Sequence, residues 1–202
     1  QWVNHFGGYD DPAPESRIAS HSMGDFRPRG FVPKLNPFYV ALPYNDKESR
    51  GYREEAARVV PWFHRVPREN EQTSLKGRWL QIYANRRSCY AQWEDVGPFE
   101  TDDWPYVFGD KAPKNPHNNE AGLDVSPAVR DYLGISSGQK VHWRFVEPQD
   151  VPYGPWKRYG SSSNVPAANE LSPEQMRRFE LLRQQRDALY RQKTRFDLQN
   201  GQ

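Results

Sequence analysis

Cysteine is almost absent. The single Cys89 in 202 residues excludes an internal disulfide. It alternates with Tyr90 in a strand-like run and reads as a small buried hydrophobe, so the redox compartment stays open. Long apolar runs are also missing: none approaches the roughly 20 residues that cross a bilayer, which excludes a helical membrane span. Charge of one sign is lacking too. With 28 Lys or Arg against 26 Asp or Glu, attraction to nucleic acid or anionic lipid is not a property of the whole chain. His5, His21, His64, His117 and His142 show no metal-ligand spacing, and neither a phosphate-binding glycine loop nor a serine nucleophile elbow occurs. Cys89 lies mid-strand, not at a helix N-terminus, which is no protease signature. No metal or cofactor is expected.

Proline and aromatic rings are abundant by contrast. The 18 prolines demand many loops and modest helix content. Although the hydrophobic fraction is only 36%, 7 Trp, 11 Tyr and 10 Phe concentrate apolar area in large rings that fill a small barrel or line a groove. The length suits one domain with appendages. A start at Gln1 without Met fits a processed, exported protein, secreted or periplasmic after loss of a signal peptide, and equally a truncated chain.

Residues 1–34 show no period of 2 or 3.6 and read as an irregular arm packed through Trp2, Phe6, Tyr9 and Phe26. A domain over 35–157 follows. "NPFYVALPYND" holds a short strand from Phe38 to Leu42, and "KESRGYREEAARVV" a short helix ending near Val59. "VVPWFHRVPREN", broken by Pro61 and Pro67, reads as an edge strand or packed loop. The clearest hairpin is "RWLQIYA", turn "NRR", then "SCYAQWE", with Cys89, Ala91 and Trp93 on one side and Tyr90, Gln92 and Glu94 on the other. Period 2 sends Glu94 and Asp95 to opposite faces unless the strand breaks there. An aromatic and polar excursion runs from Glu100 to Ala121.

In "GLDVSPAVRDYLGI", Ser126 is a natural N-cap, Pro127 suits the first helical position and Gly134 sits at C′. "KVHWRFVE" alternates as a half-buried strand. Residues 158–170 read as a linker. The capping box Ser172-Pro173-Glu174-Gln175 opens an amphipathic helix over 171–197. From Leu171 to Gln202, seven Lys or Arg against four Asp or Glu give +3, yet the acids are interleaved, which suits a packed or self-associating helix better than nucleic acid.

"EDVGPF", followed by "GLDVSPAVRDYLGI" and "VHWRFV", resembles the rare-lipoprotein-A-like double-psi β-barrel. The same barrel serves expansins, barwin-like endoglucanases and MltA-type lytic transglycosylases. The likeness covers about residues 78 to 147, and 31 to 77 only loosely. It implies a mainly β fold: a six-stranded double-psi β-barrel with short capping helices, carrying here the irregular arm and the C-terminal helix. The long excursion would cover or reshape one end of its groove.

Glycosidic cleavage needs an acid that protonates the leaving oxygen, and usually a second carboxylate. The resemblance places Asp124 at the position of the acid in glycan-cleaving relatives, with Asp95 in the neighbouring turn. Competing roles stand beside these. An acid before a helix N-terminus is also a cap or turn residue with a lowered pKa, and Asp95, two residues before Gly97, is also a turn former. Glu94, Trp93, Trp104 and Tyr106 are the candidate substrate-binding residues, since flat rings stack on pyranose faces; Trp143 fits the core better. Two functions follow. One is an exported polysaccharide-binding barrel, with a partner such as peptidoglycan, that cleaves cell-wall glycan as a lytic transglycosylase or glycosidase. The other is a noncatalytic module that docks partner subunits through its arm and C-terminal helix.

Overall fold

A computed structural model describes residues 2–65 and 72–160. The chain divides into two compact units, 1–164 and 165–202. The second unit, with the expected helix over 171–197, lies outside the described residues.

Among the described residues, nine strands and four short α-helices build the first unit. Five strands form one mixed sheet in the order β8-β3-β7-β6-β9: β3 is Tyr39–Leu42, β6 Arg78–Ala84, β7 Arg87–Val96, β8 Asp124–Val125 and β9 His142–Val146. β3 runs parallel to β7, and every other pair in the sheet is antiparallel. The fold is therefore mainly β. Among the described residues β8 and β9 remain the sheet's two edges, so a closed six-stranded barrel goes beyond these pairings.

The β6–β7 hairpin follows the alternation of its sequence. Leu80, Ile82, Cys89 and Ala91 are fully buried, whereas Tyr83 is exposed. Its loop, Asn85-Arg86, has φ of 48° and 61°, the mirror-image turn that matches strand twist. Asn85 Nδ2 donates to Leu133 O and Gly134 O at 3.0 and 2.9 Å, which ties the turn to the end of helix α4, Pro127–Leu133. That helix obeys its local signals. Ser126 caps it and Gly134 ends it at φ 63°, a left-handed position that costs glycine nothing.

The N-terminal 34 residues are more regular than expected. They form α1, Trp2–Phe6, and a hairpin of β1, Arg17–Ser20, with β2, Asp25–Pro28. Phe6 and Phe26 are buried as expected, but Tyr9 is 69% exposed and does not pack. The hairpin escaped sequence reading because its support is long-range. Phe26 packs edge-on against Phe38 and Tyr132, and buried Arg17 pairs with Asp10 and reaches Asp131 on α4 at 3.3 Å. Residues 47–59 form a two-stranded ribbon, β4 (Lys47–Glu48) with β5 (Gly51–Tyr52), and then α2, Ala56–Val59. Of the two readings for the segment at Pro61, its described part is the packed loop: a 3-10 turn, Phe63–Arg65, with Trp62 and Phe63 buried. Residues 158–160, expected to begin a linker, lie against the body: Arg158 Nη1 donates to Met23 O at 2.7 Å, and a Cβ at Gly160 would stand 2.3 Å from Asn36 N.

Candidate functional site

The centre of the site is Ala41 on β3. On one side it pairs with Asp95 of β7, on the other with Asp124 of β8. Residues paired across a sheet point to the same face, so the two carboxylates flank a methyl group. Strands spaced about 4.8 Å apart put their Cα atoms about 10 Å apart. Both acids are exposed, and Ala41 is only half-buried.

A β-bulge aims Asp95 at this face. Val40 pairs with Trp93 but Ala41 pairs with Asp95, leaving Glu94 without a partner on β3. Uninterrupted alternation would place Trp93 and Asp95 on the same side. The extra residue separates them: Trp93 goes into the core with Val40, both 1% exposed, and Asp95 joins Ala41 on the open face. Trp93 Nε1 donates to Asp95 O at 2.8 Å and fastens the bulge. Trp93 is thus a core ring, closed off from any ligand.

Glu94, expected outward or lining the groove, is turned in. Its side chain is 2% exposed and its nearest cation is Lys76 Nζ at 3.6 Å. Its Oε2 is buried without a hydrogen bond. Burial pushes its pKa up, and Lys76 only partly offsets this.

Asp124 borders a cavity of about 420 Å³ whose walls include Tyr106, Gly122, Trp143, Lys140 and Asn118. It caps nothing, because Ser126 does. The Ser126 hydroxyl, 2% exposed, accepts from Val129 N and Tyr39 N at 3.3 Å each and donates to Pro37 O at 2.7 Å, locking α4 to the start of β3. No side-chain hydrogen bond or ion pair holds the Asp124 carboxylate among the described residues. The protein around the cavity mouth removes enough hydration to push its pKa up despite its solvent access, and the like charge of Asp95 adds to the shift. A carboxyl that keeps its proton above the usual range is suited to general-acid chemistry.

The excursion supplies the facing wall. It is pinned to the end of β3 by Asn45 N to Thr101 O and Asp103 N to Pro43 O, both 2.8 Å, and by the buried Asp103, whose Oδ2 accepts from Lys114 N at 2.7 Å. α3, Trp104–Val107, presents Tyr106 to the cavity, whereas Trp104 packs half-buried against the core and is absent from the lining. Asn118, Asn119 and Glu120 take three consecutive left-handed conformations, φ 47°, 60° and 57°. The Asn119 amide donates to Gly138 O at 2.9 Å across the rim. Trp143, assigned to the core by its alternation, is half-buried and lines the cavity, its Nε1 donating to the Tyr106 hydroxyl at 2.9 Å. It packs against the core from β9 and is covered in part by Tyr106 of the excursion, a placement that the sequence pattern of β9 alone did not contain. Asp95 is absent from the cavity lining and meets Asp124 only across Ala41. Among the described residues no cluster of His, Cys, Asp and Glu could hold a metal ion, and no helix is long and apolar enough to cross a membrane.

Comparison with protein-family models, curated proteins and solved structures finds no match for the chain.

Proposed function

We propose that the chain is a polysaccharide-binding domain of the double-psi-barrel kind that cleaves β-linked glycan with Asp124 as the acid. The observation that carries this reading is the register of Asp95 and Asp124 on either side of Ala41, with Asp124 at the mouth of a cavity walled by Tyr106 and Trp143.

The chemistry follows from the arrangement. A sugar ring lies against the aromatic wall, and protonated Asp124 donates its proton to the glycosidic oxygen as the bond to the anomeric carbon breaks. Loss of hydration at the cavity mouth, helped by the negative charge of Asp95 across the small Ala41, raises the Asp124 pKa and favours its protonated form. Two strands of separation also suit the spacing of about 6.5 to 9.5 Å between carboxyls that leaves room for a water in inverting hydrolysis. A lytic transglycosylase needs one acid/base alone, the sugar's own hydroxyl closing the ring. The product tells the two apart: a reducing end from hydrolysis, an anhydro-sugar from ring closure.

The test is a screen of the purified protein against peptidoglycan, chitin and β-glucans, reading both retention and product ends. Retention of a glycan with release of either product supports the reading. No retention of any of them refutes it. Export and a cell-wall partner are part of the same proposal, resting on the likeness of "EDVGPF" and "GLDVSPAV" to the barrel family.

A further inference from the structure

Tyr106 and Trp143 are more than flat walls. The ring of Tyr106 is held over Gly122, where a Cβ would come within 2.4 Å of its Cζ, so no larger residue fits between this ring and the strand that carries Asp124. The hydroxyl oxygen is held as well, since Trp143 Nε1 donates to it at 2.9 Å, and the two rings meet edge-on at 72° with centroids 5.9 Å apart. A phenol oxygen that accepts from an indole still has its own proton to give. Among the described residues nothing accepts that proton, while Tyr106, Trp143 and Asp124 all border the same cavity.

We infer that Tyr106 is an oriented hydrogen-bond donor, keyed by the Trp143 indole, that fixes the ligand through a neutral acceptor oxygen of the sugar bound beside Asp124. This rests on the glycan reading above and assigns it a positioning residue. Removing hydration from the phenol raises its pKa, so the donor proton is retained at any pH at which Asp124 is active. The chemical class selected is an uncharged sugar unit with an exposed acceptor, either a ring or hydroxyl oxygen or an acetamido carbonyl.

Chitotetraose and cellotetraose separate those two acceptors, since both are β-linked and only the first carries acetamido groups. Binding of each is measured by calorimetry for the wild type, Tyr106→Phe, Trp143→Phe and the double variant, with thermal unfolding as the control for folding. Tyr106→Phe keeps the ring over Gly122 and is expected to weaken binding about tenfold, the worth of one well-placed hydrogen bond. Trp143→Phe frees the hydroxyl to rotate and weakens binding in the Tyr106 background, whereas in the Tyr106→Phe background it adds little. That coupling on affinity is a readout that packing alone would not move. Wild-type binding of neither sugar overturns the inferred selection of an uncharged sugar unit through Tyr106, whereas the glycan reading itself falls only if the screen above finds no retention of any glycan. Wild-type binding with an unchanged Tyr106→Phe affinity overturns the donor role alone, and additive losses in the double variant overturn its keying by Trp143.

Discussion

Ser126 joins the helix next to the site to the strand beneath it, and its removal has a cost that is readable from its bonds. Ser126→Ala deletes the acceptor for Val129 N and Tyr39 N and the donor to Pro37 O, all around a hydroxyl that is 2% exposed. Loss of an N-cap costs about 1 kcal/mol. Leaving buried backbone groups unsatisfied adds about 1–3 kcal/mol, so the sum is about 2–4 kcal/mol. For a folded unit of this size each kcal/mol lowers Tm by about 2–4 °C, so a fall of about 4–16 °C is expected. Urea unfolding followed by tryptophan fluorescence measures the free energy. Ser126→Gly separates the parts, because glycine replaces an N-cap at a cost of only a few tenths of a kcal/mol; it should retain the loss that comes from Pro37 and Tyr39. A Ser126→Ala destabilisation under about 0.5 kcal/mol, the ordinary scatter of surface substitutions, would refute the assignment of this hydroxyl as the strand-to-helix lock.

Three further outcomes are expected. Glu94 in the folded chain holds its proton above the ordinary value of 4.5, so the folded state binds more protons than the unfolded one in the window just above that value, and stability falls as pH rises through it; Glu94→Gln flattens that fall in unfolding free energies measured between pH 4 and 8. Arg17→Ala leaves Asp10 buried without its guanidinium and should cost about 3–5 kcal/mol, with exchange protection lost first in β1 and β2. Asp95→Asn removes the like charge that raises the Asp124 pKa, so the alkaline limb of the cleavage-rate profile should move to lower pH.

What the sequence disclosed was what local chemistry decides. The cap, first-turn proline and terminal glycine of α4 act within a few residues of one another, and the β6–β7 alternation needs only its own strand period, so both were legible. The arm hairpin was hidden because it is held by residues far along the chain, Tyr132 against Phe26 and Asp131 against Arg17. Asp124 lies on β8 just ahead of the α4 cap and pairs with Ala41, and Asp95 takes the other side of Ala41 because of a bulge that alternation could not reveal. Trp93 continues the buried face of Cys89 and Ala91 up to the bulge, and Glu94 at the bulge is turned in beside Lys76, so neither takes its expected place in the groove. Trp143 was read as core because period 2 reports which side a ring takes, not whether that side is covered. What covers it is the excursion, whose path is set by contacts such as Asp103 with Lys114.

The most direct measurement is product release from the glycan retained in the screen, by wild type and by Asp124→Asn at matched folding. Because the Asp124 carboxylate is exposed and bonded to no side chain among the described residues, the substitution should change stability by no more than about 0.5 kcal/mol. Loss of a positioned general acid should lower the cleavage rate by about 10²-fold or more while binding persists. Wild-type turnover in a folded Asp124→Asn variant would contradict the account.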